Sequence, residues 1–509
     1  MRFKGETVVF PEICDQVILS STLFLIVFAP LAYGGVDGWA LNLIRIVVLV
    51  MLGAWLLKSA YHRNFKFFHP PFTLAAGLFV VHILFQLAPL PAAWREFLAP
   101  VPRDHSILLP SNPDFSPPAQ PSLWTNLSLY PTASLDGFLS LLTYLGLCGV
   151  LLNNFRERTR LRFLVMTLIA IGSFEAAYGL IEYWSGRRHI FWITKVVYLD
   201  DVTGTYVNHN HFAGLMELIL PLAVGLLVER KTSHAAESSN RSATRMKVTN
   251  GSGFLKRAPL IGAVALMLVG LILSNSRGGL LSSLLSLLLL ACFVLRKRGQ
   301  GQTSFQIGIW VALLFGMVSV GLGREIISRF SYSIRDAPER LGVWKDSLKM
   351  VSDFPLWGTG LGTFRYVFPN YRSKIDFLIV NGVPRQATWN FAHNDFLQLL
   401  VECGIFGLLL ALWALFSTFW HLFSPLNRYL NESYTTLEYS CVAGLLAIVF
   451  HSFVDFNLHI PANALIFCVL LCLAINLAHL EMPATRGNRG DAERCFWSGA
   501  QHNNRKQDD

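Results

Sequence analysis

The feature that most constrains this chain is the recurrence, about twelve times along its 509 residues, of apolar runs long enough to cross a bilayer. A spanning helix needs about 20 consecutive apolar residues, because each adds only about 1.5 Å of rise. Such runs lie at 16–34, 39–58, 70–90, 134–153, 162–184, 211–228, 258–275, 279–295, 305–322, 394–420, 437–454 and 461–480. Only 15% of the residues are Asp, Glu, Lys or Arg, and 53% are hydrophobic; soluble domains carry roughly a quarter charged residues. Charge this sparse cannot cover a globule, so lipid must solvate much of the surface. The expected fold class is an all-α polytopic membrane protein with about twelve transmembrane helices. The first run lacks an A-x-A site and a second span follows at once, so it reads as a retained helix and not a cleaved signal.

The net charge of +10 raises nucleic acid as a partner, but its distribution argues against one. Lys58/Arg63/Lys66, Arg156/Arg158/Arg160/Arg162, Arg230/Lys231/Arg241/Arg245/Lys247 and Arg296/Lys297/Arg298 all fall in short segments between spans. Placing the N-terminus inside puts every one of these clusters in a cytoplasmic loop, as the positive-inside rule requires. Both termini are then cytoplasmic. The eight cysteines lie mostly within spans and include no C-x-x-C pair, so neither a disulfide framework nor a zinc site is expected.

This orientation divides the chain into four parts. Residues 1–322 carry spans one to nine, with outer loops at 91–133, rich in proline and expected to be extended, and at 185–210. Residues 323–393 form a large outer loop, 394–480 the last three spans, and 481–509 a polar tail. The Ser/Asn-rich stretch 232–253 and the tail read as disordered. A loop of about 70 residues is unusual unless it is structured or functional. Within it, Arg340 to Val351 has Leu341, Trp344, Leu348 and Val351 on one face of an amphipathic helix. The following Asp353-Phe-Pro-Leu-Trp-Gly-Thr-Gly-Leu-Gly predicts a tight loop able to offer backbone N–H groups to an anion. It lacks the lysine and spacing of a nucleotide-binding loop.

Several polar residues gather at the outer edge. Arg277, in Ser274-Asn-Ser-Arg-Gly-Gly, reads either as an interfacial anchor whose charge snorkels to headgroups or as a bidentate phosphate clamp. In the second reading Gly278 and Gly279 admit a bulky headgroup. Arg340 presents the same choice against a solvated loop arginine. His393, at the start of the tenth span, reads as a structural histidine or as a general base. Asn208, His209, Asn210 and His211 open a span and either line a cleft or cap a helix. His451, Asp455 and His459 are ionisable groups near membrane depth, which merit a functional hypothesis beside the alternative of a polar network joining two helices. Arg365, Arg372 and Asn394 add polar contacts for a substrate. Glu402, nine positions after His393, lies on roughly the opposite helix face. Asp37, Asp200 and Asp201 are the acidic candidates for a metal and read as solvated loop residues, so no metal site is expected.

Together these pieces resemble the O-antigen ligase/polymerase superfamily of bacterial envelope glycosyltransferases. The matching segments are Ser274–Gly279, Arg340 with Trp344, Pro355-Leu-Trp-Gly-Thr-Gly-Leu-Gly-Thr-Phe and Ala392-His-Asn-Asp-Phe-Leu-Gln-Leu-Leu-Val-Glu-Cys-Gly. Support comes from Gly204-Thr-Tyr-Val-Asn-His-Asn-His-Phe-Ala and His451-Ser-Phe-Val-Asp-Phe-Asn-Leu-His-Ile-Pro-Ala-Asn. The resemblance implies a GT-C-like fold in the bacterial inner membrane with a periplasmic active site and short helices in the large loop. It implies a glycan moved, with inversion, from undecaprenyl diphosphate to lipid A–core or to a second lipid-linked glycan, without nucleotide sugar or cofactor. By position, His393 looks like the family's catalytic histidine, and Arg277 and Arg340 look like its diphosphate-contacting arginines. A transporter or lipid-linked glycan flippase is the competing function. A carrier should show internal repeats and polar groups at mid-membrane; here no repeat is evident and the polar groups crowd the outer edge.

Overall fold

Apolar helices account for nearly all of the architecture. The computed structural model describes residues 9–63, 65, 67–99, 124–228, 251–298, 336–373, 377–380, 383–386, 389–424 and 435–479. The expected span 305–322, the segment 232–250 and the tail from 480 lie outside the described residues, as does most of the proline-rich loop.

Among the described residues, eight helices are long and apolar enough to cross a membrane. They are α1 (Val9–Leu31), α2 (Gly38–Tyr61), α5 (Pro131–Asn154), α6 (Arg158–Ser185), α7 (His209–Val228), α9 (Arg277–Arg298), α12 (Asp395–Phe423) and α14 (Pro461–Ala478). Three further expected runs coincide with α3 (Thr73–Leu87), α8 (Gly251–Leu273) and α13 (Thr435–His451), whose apolar stretches are shorter. Thus every expected run except 305–322 coincides with a helix.

Turn chemistry sets many of the boundaries. After α1, Gly34 and Gly35 both take positive φ, which glycine adopts at little cost. Pro131 and Pro461 each occupy the first helical turn, where the missing N–H has no intrahelical partner to lose. α6 stops at Gly186, which is left-handed.

The core forms where α13 packs on α7, α9 and α14. α7 and α14 are buried almost all round, as expected of apolar helices enclosed by others. Around them α1 packs on α2 and α6, α2 on α5, α5 on α14, and α6 on α8. α3 pairs with α12 at one side.

Because successive spans alternate in direction, the loops sort onto two ends. At one end Lys58, at the close of α2, and Arg160, at the start of α6, both pair with Asp15 of α1. Asn476 of α14 donates to the Leu151 carbonyl at 3.1 Å at that same end. The other end carries the large loop. There α10 (Asp336–Asp353) packs on α12, and a short α11 (Phe364–Val367) follows. This end also holds α4 (Ala92–Leu98) and three two-stranded antiparallel ribbons: β1–β2 (Leu90–Pro91 with Trp124–Thr125), β3–β4 (His189–Ile190 with Ile193–Thr194) and β5–β6 (Phe377–Val380 with Val383–Gln386). Short helices are expected only in the large loop; the ribbons are additions, and α4 departs from the extended form expected of 91–133.

Candidate active site at the large-loop end

His393 lies two residues before α12 and has φ +51, a region non-glycine residues occupy only when their surroundings compel it. Three contacts do so. Trp344 of α10 donates to the Ala392 carbonyl at 2.9 Å, Ala392 N–H donates to Gln398 Oε1 at 3.0 Å, and Asn394 caps α12 by accepting from Leu397 N–H at 2.9 Å. The imidazole stands edge-on between Trp389 and Phe456, with centroid distances of 5.4 and 4.7 Å.

The His393 Nδ1 atom is buried without a hydrogen-bond partner among the described residues and faces Asp455 Oδ1 at 3.7 Å. This is longer than a hydrogen bond, a looseness common in catalytic pairs before substrate binds. Burial, aided by the Arg340 charge and opposed by Asp455, pushes the His393 pKa down to about 4. The ring is therefore neutral at neutral pH, and 18% of its side chain is exposed, so a partly enclosed ligand could reach it.

Asp455, in the turn after α13, is the hub. Its side chain is 1% exposed. It accepts from Asn210 Nδ2 at 2.6 Å and from Phe456 N–H at 2.8 Å. Arg340 Nη2 lies 3.6 Å and His211 Nε2 3.9 Å from it. Burial alone would raise its pKa, yet His393, His211 and Arg340 hold it below the usual carboxylate value. Arg340 is fixed further by donating to the Val454 carbonyl at 2.6 Å. Two segments far apart in sequence thus hand a cation and a neutral imidazole to one anionic turn.

Arg277 opens α9 and is half-buried. The turn before it is clamped: His209 Nδ1 donates to the Ser274 carbonyl at 2.6 Å and Asn275 Nδ2 to Asp201 Oδ1 at 2.5 Å. The expectation that Gly278 and Gly279 make room for a headgroup is corrected. A Cβ on Gly278 would stand 2.5 Å from His451 Nε2, and one on Gly279 2.6 Å from Ala213 Cβ. These glycines let α9 approach α13 and α7.

The expected anion-binding loop at 353–362 is corrected too, because its anion is internal. Gly362 and Phe364 N–H groups donate to the Glu402 carboxylate at 2.7 and 3.2 Å. Thr359 and Gly360 N–H groups take the Val401 and Glu402 carbonyls. Glu402 is not in contact with His393, in keeping with the expected opposite helix face.

Other candidates have structural partners. Asn208 Oδ1 accepts from Asn210 N–H at 2.8 Å at the head of α7. Arg365 is exposed, folded over the Tyr366 ring. Arg372 is half-buried beside Tyr371. His451 pairs with Glu217 at 2.6 Å, joining α13 to α7. Asp200 pairs with Arg188 at 3.3 Å, Asp201 with Asn275, and Asp37 precedes α2 in an exposed position. Sequence reading missed Glu217, whose burial in an apolar helix was the available signal. It also missed Asp395, which links Ser452 at 2.7 Å and His459 at 2.5 Å.

No curated protein matches the chain at a significant level. Residues 262–412 match the O-antigen ligase family (Wzy_C). That stretch carries Arg277, Arg340 and His393, while Asn210, His451 and Asp455 lie outside it. Over residues 262–412, about 30% of its length, the chain is thus similar to the O-antigen ligase family, and its apolar helices make it an all-α polytopic membrane protein.

Proposed function

We propose that the protein moves a glycan from undecaprenyl diphosphate to an acceptor hydroxyl at the periplasmic face of the bacterial inner membrane, with inversion and without a metal. The acceptor is lipid A–core or a second lipid-linked glycan. The observation that carries this reading is the joint placement of neutral His393 and cationic Arg340 on the buried Asp455 carboxylate.

In the step this implies, the acceptor oxygen attacks the anomeric carbon and the bond from that carbon to the diphosphate oxygen breaks. The electron pair leaves with the diphosphate, and the acceptor proton passes to His393. Nδ1 faces Asp455, which leaves Nε2 as the basic nitrogen. Asp455 steadies the imidazolium that forms, as the buried carboxylate does in a Ser-His-Asp triad. Arg340 and Arg277 offer guanidinium donors where negative charge grows on the leaving group, and preorganised donors act strongly in a partly dehydrated site. Arg365, Arg372, Asn208, Asn210, Asn394 and His451 are second-rank candidates for substrate contact. Of these, Asn210 supports the reading most directly, through its bond to Asp455.

The test is purified His393→Ala protein in lipid nanodiscs with a lipid-diphosphate-linked oligosaccharide. It should bind the donor as the parent does and lose transfer. A carrier or flippase would keep its function in this variant, and retained activity would overturn the proposal. In cells, a deletion that leaves polymer lipid-linked marks a ligase, and one that accumulates single repeat units marks a polymerase.

A further inference from the structure

The loop between α6 and α7 is folded yet largely absent from the chemistry above. Its ribbon β3–β4 does not extend away from the bundle. The Phe191 N–H donates to the Tyr178 hydroxyl at 2.6 Å, and the two rings lie 5.2 Å apart. Tyr178 is seven residues before Ser185, the last residue of α6, hence about 10 Å down the helix axis. It shares a face with Phe174 and Ile181, both exposed, and exposed apolar residues on a spanning helix face lipid. The ribbon tip is therefore folded back along the lipid side of α6. Trp192 at the tip is 81% exposed and Val196 75%, with Ile193 and Val197 also exposed. An exposed apolar group of this size marks an interaction surface, and aromatic side chains at this depth suit the bilayer interface.

At the base of the ribbon is a cavity of about 600 Å³, within the size range of small-molecule sites. Its wall combines cations (Arg187, Arg188, Lys195), carboxylates (Glu182, Asp200) and the aromatic Trp184. Arg188 and Asp200 pair at 3.3 Å, and one Glu182 oxygen is buried without a hydrogen-bond partner among the described residues. A mixed wall of donors and acceptors beside aromatic rings suits a polyhydroxylated ligand better than a simple anion, because sugar hydroxyls both donate and accept. The far wall, Asp201 to Gly204, is bonded to the turn that presents Arg277: Val202 N–H donates to the Leu273 carbonyl at 3.0 Å and Asn275 to Asp201.

We propose that this cavity holds the saccharide headgroup of a lipid in the adjoining leaflet, with the β3–β4 tip embedded among that leaflet's lipids as the docking wedge. The inference rests on the lipid-linked glycan reading and adds where the saccharide sits relative to Arg277. An amphiphile bound in this way keeps its tail against Trp192 and Val196 while its sugars enter between Trp184 and Lys195.

The test uses the full-length protein in nanodiscs with a photo-crosslinking amino acid replacing Trp184. Three probes are compared: an isoprenyl-diphosphate disaccharide, the same lipid diphosphate without sugar, and the free disaccharide as competitor. The sugar-bearing lipid should crosslink at least tenfold more than the sugarless one, and Lys195→Ala or Arg187→Ala should lower that yield several-fold. Trp192→Gln with Val196→Gln should raise KM for the long-chain donor several-fold at unchanged kcat, with Trp192→Tyr restoring it. Equal crosslinking by the sugarless lipid, or no crosslink from protein that transfers glycan, overturns the proposal. Sugar-dependent crosslinking by protein that transfers no glycan would leave the cavity standing and sink the proposed function instead.

Discussion

At the scale of single residues the assignment turns on which protonation state His393 holds. Its pKa of about 4 predicts a transfer rate that stays flat from neutral pH down to about 5 and falls below that, measured as kcat/KM against pH. An ordinary histidine would place the fall near 6.5. The neighbours push in opposite directions: Asp455 raises the value and Arg340 lowers it. Asp455→Asn should therefore move the acid limb down, and Arg340→Gln should move it up. Both also reduce the rate, by about 10²-fold for Arg340 if it acts as a transition-state donor; His393→Ala should cost about 10²–10⁴-fold. Limbs that move together in the two variants would remove His393 as the titrating base. The stability sign follows from the same value. Between about 4 and 6.5 the unfolded chain binds the proton and the folded one does not, so this site's contribution falls as pH drops through that window. His393 and Arg340 were legible in the sequence because each stands in a short motif beside aromatic residues. Their meeting point was not. Asp455 and Arg340 are 115 positions apart, and Glu217 and His451 are separated by 234; spacing in a chain says nothing about contacts closed by helix packing.

At the scale of elements, the instructive case is the glycine loop that follows α10. Glycines 358, 360 and 362 all take positive φ, as the tight loop expected from the sequence requires. Which anion meets the N–H groups could not be read, because Glu402 lies on another element. α12 itself is broken at Gly404, with φ +63 and ψ −171, a region open essentially to glycine alone. The break leaves room for Pro355 and Leu356, whose carbonyls accept from Ile405 and Phe406 N–H groups. The two segments therefore run side by side and brace the helix whose start carries His393. Gly404→Ala should be strained by about 1–3 kcal/mol and should also drive its new methyl group into the Leu356 carbonyl. The expected readout is a lower melting temperature in detergent, with donor binding lost less than transfer. Glu402→Gln keeps the shape but weakens two charge-assisted bonds to the loop. It should lower kcat by less than His393→Ala and leave the pH limb unmoved, since Glu402 does not touch the imidazole. A shifted limb would show that the loop acts on the base and not only on its support.

At the scale of the whole molecule, alternating spans put His393, the β3–β4 ribbon and the large loop on one end, and the Asp15–Lys58–Arg160 cluster on the other. Helix packing alone does not say which end faces the cytoplasm; the charge bias supplies the expectation. Short basic segments resist translocation, so the end carrying Arg158, Arg160 and Arg162 is expected inside, and a donor whose glycan is exposed outside requires His393 at the opposite end. The proposed chemistry and the charge bias thus make the same demand. Two exposed side chains, Asp200 at the His393 end and Glu157 at the start of α6, sample the two ends. With Cys292 and Cys495 changed to Ser, Asp200→Cys should react with a membrane-impermeant maleimide in intact spheroplasts. Glu157→Cys should react only after the membrane is opened. The opposite pattern would set the base, both arginines and the saccharide cavity in the cytoplasm, where the lipid-diphosphate donor does not present its polymer, and the transfer mechanism would fall with it. Labelling of both positions in intact cells would mean that the chain inserts in two orientations, and the charge argument would then fail before the chemistry was tested.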